Sequence, residues 1–261
     1  METTQNVGLV GSWKNSYGSL MKISSQSESG FISGTYSSTT GASGTYALVG
    51  YAPVGISGNY PVSISIYWRS LDGGQSNPTW NWVSQMSGQV LTDSTSGTTE
   101  IELLHGMVAS TPYSAVGVPE PGVYTETLVF TPYDSSENRK ESTALIESND
   151  SLAGNWVNKN SAAQLQSLQL TVDQFSVTGL LQSTSSTNNL AGLYDYTATQ
   201  DMLLSVSLTA LLDNESSVSL GGFLNQSLNE LTLLTYKSHG TTYGNKYASV
   251  NVVGTDVFNQ V

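Results

Sequence analysis

Apolar and polar residues alternate along most of this chain, a pattern that predicts short β-strands. In an extended strand, residues two apart share a face. In segment 11–23, one face is apolar at both ends and polar between them: Trp13, Asn15, Tyr17, Ser19, Met21 and Ile23. A buried face that carries amide, phenol and hydroxyl groups needs hydrogen-bonding partners for them. A polar ligand held inside a barrel is one such partner.

The rest of the first half continues as strands separated by turns. Alternation is clearest in segment 61–68, where three aliphatic residues and Trp68 face one way and Ser63, Ser65 and Tyr67 face the other. No apolar pattern with helical spacing persists long enough to predict a helix. Further strands are predicted at 31–38, 45–51, 79–85, 99–105 and 123–131.

The second half repeats the first after a charged interruption. Residues 134–150 gather charge in a chain that is otherwise poor in it, which is typical of a linker. Residues 152–158 then echo residues 9–15, including the tryptophans Trp13 and Trp156, which we expect to fill the closed ends of two domains. The predicted domains are therefore 1–133 and 151–261.

About eight strands are predicted in each copy, which indicates an all-β chain of two antiparallel up-and-down barrels in tandem. Closure into a barrel removes the exposed edges that open sheets must protect. An eight-stranded barrel is filled by side chains or encloses one small ligand. The pattern by itself leaves both interiors open.

Charge narrows the range of partners. The chain has 8 Lys and Arg against 20 Asp and Glu, a net charge of −12, so nucleic acid and anionic membrane surfaces are not expected partners. It lacks cysteine, a long apolar stretch and a leader-like start, so a secreted mature form and a cytoplasmic protein both remain open. A weakly charged small molecule remains the expected partner.

Catalytic signals are weak. His105 and His239 each precede a glycine, without a second ligand-type residue at metal-binding spacing. The sequence has no Gly-x-Ser-x-Gly elbow and no glycine-rich phosphate loop. We therefore expect a non-enzymatic protein without a metal or cofactor.

Several segments together carry a family resemblance. The run Gly-Ser-Trp-Lys-Asn-Ser-Tyr-Gly-Ser at 11–19, followed by Gly-Thr-Tyr at 34–36, resembles the first strands of avidins and streptavidins. The match continues in order at 46–50, 65–68 and 79–80, and segment 247–258 resembles the last avidin strand. The resemblance implies two avidin-like barrels, with biotin bound at the mouth of the first.

The resemblance also implies which residues contact the ligand. In the first barrel, the ureido oxygen of biotin would be held by Asn15, Ser19 and Tyr36, between walls formed by Trp68 and Trp80. The other contacts implied there are Tyr17, Ser38, Thr40, Ser76 and Leu104.

The second barrel keeps fewer of these residues. Asn158, Ser183 and Asp256 remain as implied contacts. Tyr247 lies where avidins lend an aromatic residue to a neighbouring site, so we expect it to cap the first barrel.

Both halves also depart from the family pattern. Glu102 stands where avidins carry a wall tryptophan; it is either an inward carboxylate or a surface residue, and alternation favours the surface. The last strand of the first half has no evident Asp, although Glu126 and Thr127 lie nearby. In the second half, the expected replacements are Leu181 for the tyrosine, Ala210 or Leu211 and Thr232 for wall tryptophans, and Ala162 for Ser19. The second site is therefore expected to be degenerate.

Three functions remain open from the sequence. The resemblance favours a protein that binds biotin in its first barrel, with the barrels paired as a pseudo-dimer and two chains forming a pseudo-tetramer. The degraded second site favours a structural or storage protein that kept the barrel and lost the ligand. The many Trp and Tyr residues are compatible with a carbohydrate-binding module.

Overall fold

The computed structural model describes residues 8–38, 44–56, 58–71, 81–112, 117–134, 150–197 and 203–261. They form two closed barrels of eight antiparallel strands each, which confirms the predicted fold. The first barrel comprises β1 (Gly11–Asn15), β2 (Leu20–Gln26), β3 (Phe31–Ser38), β4 (Gly44–Tyr51), β5 (Tyr60–Tyr67), β6 (Trp82–Thr92), β7 (Thr99–Ala109) and β8 (Gly122–Pro132).

The second barrel repeats this order. It comprises β9 (Gly154–Asn158), β10 (Leu165–Asp173), β11 (Ser176–Ser183), β12 (Thr187–Tyr194), β13 (Leu203–Leu211), β14 (Ser216–Asn225), β15 (Glu230–His239) and β16 (Val250–Gln260). Short 3-10 turns lie at Asp150–Leu152 and Tyr243–Ala248. None of the described helical segments is long and apolar enough to cross a membrane.

The opening segment is a hairpin and not a single strand. β1 ends at Asn15, whose Oδ1 accepts hydrogen bonds from the backbone N–H groups of Tyr17 and Ser19, at 3.1 and 2.9 Å. Gly18 has a φ of 87°, which few residues other than glycine adopt readily. The turn preserves the odd-numbered inner face on both sides, while Tyr17 at its tip is exposed.

The sixth strand differs most from its prediction. It begins at Trp82 and runs to Thr92, later and longer than the predicted segment 79–85. Its small and polar residues Ser84, Ser87 and Gln89 are all buried, so low hydrophobicity hid the strand in the sequence.

A tryptophan fills the closed end of each barrel. Trp13 and Trp156 are both fully buried, and each donates a hydrogen bond of 3.0 Å from Nε1 to the carbonyl four residues earlier, Leu9 and Leu152 respectively. These contacts confirm both tryptophans as core residues.

The two barrels share one register. Ile23 in β2 pairs with Gly34 in β3, and Leu170 in β10 pairs with Gly179 in β11. A Cβ atom on either glycine would lie 1.9 Å from a backbone carbonyl of the neighbouring strand. Because both barrels need glycine at this close approach, their strands can be matched position by position.

The outer faces of β5 and β6 contact the second barrel. Ser65 and Ser207 share a 2.6 Å hydrogen bond between their hydroxyl groups, and the ring of Tyr67 stacks on Phe175 with centroids 4.6 Å apart. Ser63 and Ser65 are consequently as buried as the aliphatic residues of β5 that point inward.

Candidate functional site

The mouth of the first barrel brings together three of the predicted contacts. Asn15 at the end of β1, Ser19 before β2 and Tyr36 in β3 are all buried. Burial raises the pKa of the Tyr36 phenol, while hydrogen bonds with Ser19 and Asn15 oppose that rise. Asn15 uses its oxygen within the turn, so its NH₂ group is the part that can donate to a ligand.

Aromatic rings line the same mouth. Trp68 follows β5 and meets the edge of Tyr36 at 5.7 Å between ring centroids, and it lies 4.9 Å from Tyr46. Such contacts supply a large apolar surface with little rotamer freedom to lose. Trp80, the second predicted wall, lies outside the described residues, as do Thr40 and Ser76.

A series of side-chain hydrogen bonds that the sequence did not predict lies behind this wall. Trp68 donates from Nε1 to Ser84 Oγ at 2.7 Å, and Ser84 Oγ lies 2.8 Å from Nε2 of His105. Nδ1 of His105 lies 3.2 Å from a carboxylate oxygen of Glu126, and this hydrogen bond lowers the pKa of Glu126. The shared odd parity of His105 and the apolar Leu103 is the sequence signal that could have placed the imidazole inside.

The inward orientation of the odd-numbered residues of β7 corrects the prediction for Leu104. Leu103 and His105 are buried on the inner face of β7, and the intervening Leu104 lies half-buried on the outer face. Its predicted ligand contact was therefore wrong. Glu102 shares the outer face, where its carboxylate lies 3.9 Å from Nζ of Lys246 and burial raises its pKa.

The remaining predicted residues of the first site are divided. Ser38 is buried at the end of β3, next to the mouth, whereas Tyr17 is mostly exposed at the tip of its turn. Tyr247 is 85% exposed, and its neighbour Lys246 bonds Glu100 at 3.2 Å, near the start of β7. Among the described residues, this contact places the segment beside the start of β7 and not beside Asn15, Ser19 or Tyr36, so a capping role of Tyr247 stays a prediction.

The second barrel has an open cavity of about 400 Å³ at its mouth. Asn158 donates from Nδ2 to Asp256 Oδ1 at 2.7 Å and to the carbonyl of Leu165 at 2.8 Å. Ser183 lies at the rim, where its hydroxyl accepts hydrogen bonds from the backbone N–H groups of the following turn. All three predicted contacts of this barrel, Asn158, Ser183 and Asp256, therefore lie at one mouth.

The shared register corrects two predicted replacements. Leu190 pairs with Ala210 as Leu48 pairs with Ile66, so Ala210 corresponds to Ile66. The residue two positions later, Leu212, therefore matches Trp68, and neither Ala210 nor Leu211 does.

The second correction concerns the residue that matches Ser19. Leu165 pairs with Ser183 at the same end of its hairpin where Ser19 precedes β2. Leu165, rather than Ala162, thus takes the place of Ser19. The sequence-based alignment failed here because the turn of the second hairpin is longer: Leu165 follows Asn158 by seven positions, whereas Ser19 follows Asn15 by four.

The register also identifies what the first barrel lacks. Leu103 pairs with Leu128 as Leu233 pairs with Asp256, so an apolar residue stands at the carboxylate position. Glu126 occupies the next inward position toward the mouth, and Thr127 lies between them. Among the described residues, no group of three His, Cys, Asp or Glu side chains is arranged to hold a metal ion.

Comparison with known proteins finds one matching family and several similar solved structures. The Avidin family matches residues 3–114, which confirms the resemblance seen in the sequence. Xenavidin is 19% identical and has a TM-score of 0.39, with 49% of this chain and 100% of xenavidin covered. A biotin-binding protein from chicken is 20% identical, with a TM-score of 0.39 and coverage of 49% and 98%. Apo shwanavidin is 21% identical, with a TM-score of 0.36 and coverage of 48% and 100%. No curated protein matches the chain.

Proposed function

We propose that this chain binds biotin at the mouth of its first barrel without catalysing a reaction, because the Avidin family matches residues 3–114, most of which lie in that barrel. The observation that carries the proposal is the convergence of Asn15, Ser19 and Tyr36, all buried, beside Trp68. Three donors directed at one carbonyl oxygen act together where water is excluded. A cyclic urea presents such an oxygen, and its ring fits an aromatic wall.

The other side of the urea finds a weaker partner in this barrel. Leu128 stands where the second barrel has a carboxylate. The ureido N–H groups would therefore have to donate to the hydrogen-bonded side chains of Ser84, His105 and Glu126. A hydrogen bond to a charged group contributes about 1.5–3 kcal/mol. We therefore expect biotin to bind more weakly than at a site that keeps this carboxylate.

Calorimetric titration of the full chain with biotin tests the proposal. Tyr36→Phe removes one donor and should weaken binding about tenfold, equivalent to about 1.4 kcal/mol. Tyr60→Phe is the matched control, because Tyr60 lies at the start of β5, away from the mouth. The absence of a heat signal at biotin concentrations up to about 1 mM would favour the structural or storage alternative. A Kd of about 1 mM corresponds to a binding free energy of about −4.1 kcal/mol.

We also propose that the two barrels act as a pseudo-dimer and that two chains associate into a pseudo-tetramer. The contacts of Ser65 and Tyr67 with the second barrel support the pairing within one chain. Light scattering coupled to size-exclusion chromatography measures the second step. A mass equal to one chain across the concentration range would contradict it.

A further inference from the structure

The cavity of the second barrel has a polarity unlike that of the first. Its volume is about 400 Å³, within the range of about 300–1,000 Å³ common for small-molecule sites. Its lining includes two carboxylates, an ammonium group and seryl hydroxyls, contributed by Asp213, Asp256, Lys237, Ser183 and Ser216.

Two of the three groups that would recognise a urea oxygen, and the aromatic wall beside them, are replaced by leucines here, and the Nδ2 of the remaining Asn158 is already bonded to Leu165 and Asp256. Leu165, Leu181 and Leu212 stand at the positions of Ser19, Tyr36 and Trp68 in the first barrel. A carbonyl oxygen that entered this mouth would lose its water without gaining these donors, which is unfavourable. The second barrel is therefore less suited than the first to the ligand proposed for the first.

The cavity of the second barrel instead presents the carboxylates of Asp213 and Asp256 as hydrogen-bond acceptors. Asp256 accepts from Asn158 at 2.7 Å and from Thr235 Oγ1 at 3.4 Å, and an ionised carboxylate has about four acceptor sites. Asp213 accepts from the backbone N–H of Glu215 at 2.8 Å and from Ser216 Oγ at 2.9 Å. Burial raises the pKa of Asp213, but these hydrogen bonds and the charge of Lys237 outweigh it, so the pKa is lowered. Asp213 is therefore ionised at neutral pH.

Lys237 determines which donor-rich ligand fits. It lines the cavity together with both carboxylates and supplies hydrogen-bond donors only. A ligand ammonium group could not accept from Lys237, and a ligand carboxylate would be repelled by Asp213 and Asp256. A hydroxyl group both donates and accepts, so it suits this mixture and the seryl hydroxyls as well.

We propose that the mouth of the second barrel binds an uncharged polyhydroxylated molecule the size of a monosaccharide or disaccharide. Ligand hydroxyls donate to Asp213 and Asp256 and accept from Lys237. The C–H groups of the ligand pack on Leu212 and Val218, which line the same cavity. The site is in a different barrel from the proposed biotin site and does not depend on it.

Titration of the full chain with D-glucose, maltose and myo-inositol tests the proposal by calorimetry. We expect saturable binding of at least one of them, unaffected by an excess of biotin. Asp256→Asn keeps an oxygen for Asn158 but replaces an acceptor by a donor, and it should weaken binding about tenfold, or about 1.4 kcal/mol. Glu230→Gln is the matched control, since it removes a carboxylate of β15 that does not line the cavity.

A second variant tests the cavity by volume. Leu212→Trp fills the mouth with the side chain that Trp68 contributes to the first barrel, and it should abolish polyol binding while the β-sheet circular dichroism is retained. The proposal is overturned if none of the three polyols binds saturably. It is also overturned if Leu212→Trp, or a folded Asp256→Asn, binds as tightly as the unsubstituted chain.

Discussion

Replacement of Arg69 by methionine should destabilise the contact between the barrels. Arg69 follows β5 of the first barrel, and Asp195 follows β12 of the second. The guanidinium donates from Nε to Asp195 Oδ2 at 3.1 Å and from Nη2 to Oδ1 at 3.2 Å. Nη2 also donates to Asn81 Oδ1 at 2.6 Å, so the pair is held from both barrels.

The magnitude follows from burial. The side chain of Asp195 is 0% exposed and that of Arg69 is 19% exposed. Removal of one partner of a buried pair costs about 3–5 kcal/mol, because the other charge stays buried without compensation. The backbone N–H of Thr197 donates to Asp195 at 2.9 Å without involving Arg69, so this hydrogen bond should persist in the variant. We therefore expect a loss near the lower end, about 3 kcal/mol.

The effect should depend on pH with a defined sign. Burial raises the pKa of Asp195 in the folded chain, and the charge of Arg69 opposes that rise. Without Arg69, the folded-state pKa rises further above its unfolded value. The stability linked to the protonated carboxyl is then present at low pH and lost as pH rises through the folded pKa. Arg69→Met should consequently lose more stability at neutral pH than in acid.

Urea unfolding followed by circular dichroism measures this change. Lys159→Met is the matched control, because the exposed pair of Lys159 and Glu230 should contribute about 1 kcal/mol or less. The double variant with Asp195→Leu should recover part of the loss, since no buried charge remains. A cost for Arg69→Met no larger than that of the control would refute the reasoning.

Three further variants test other contacts. Trp156→Phe removes a buried donor and should cost about 1–3 kcal/mol in urea unfolding; an unchanged midpoint would contradict its role at the closed end. A Cβ on Gly221 would lie 2.4 Å from the side chain of Gln85 in the other barrel. Gly221→Ala should therefore reduce the free energy of unfolding by about 1–3 kcal/mol and lower the melting temperature. A hydrogen bond with His105 lowers the pKa of Glu126, so its contribution is present above the unfolded pKa and lost as pH falls through the folded pKa. Glu126→Gln should therefore lose less stability than the unsubstituted chain on acidification to about pH 3, and an equal loss would argue against this contact.

The inward placement of Asn15 and Ser19 in the candidate site could be predicted because they lie on short, regular segments, whereas their role as ligand contacts came from the family resemblance. The odd parity that joins Trp13, Asn15 and Ser19 survived the unrecognised turn, since the turn keeps both strands in the same phase. The prediction for Leu104 failed because an error of one residue in position along a strand places a side chain on the opposite face. His105 was missed although it shares the odd parity of Leu103, because the predicted strand ended at His105, whereas β7 continues to Ala109.

Period-two alternation and the echo of residues 9–15 at 152–158 determined the two barrels from the sequence alone. Local periodicity is sufficient for this, because strand faces and turns depend on neighbouring residues. Only the tertiary structure decided which residues meet at each mouth. Leu128 replaces a carboxylate and Leu212 replaces Trp68 through pairings between strands that are distant in sequence. Burial of the polar outer face of β5 likewise required the second barrel to lie against it.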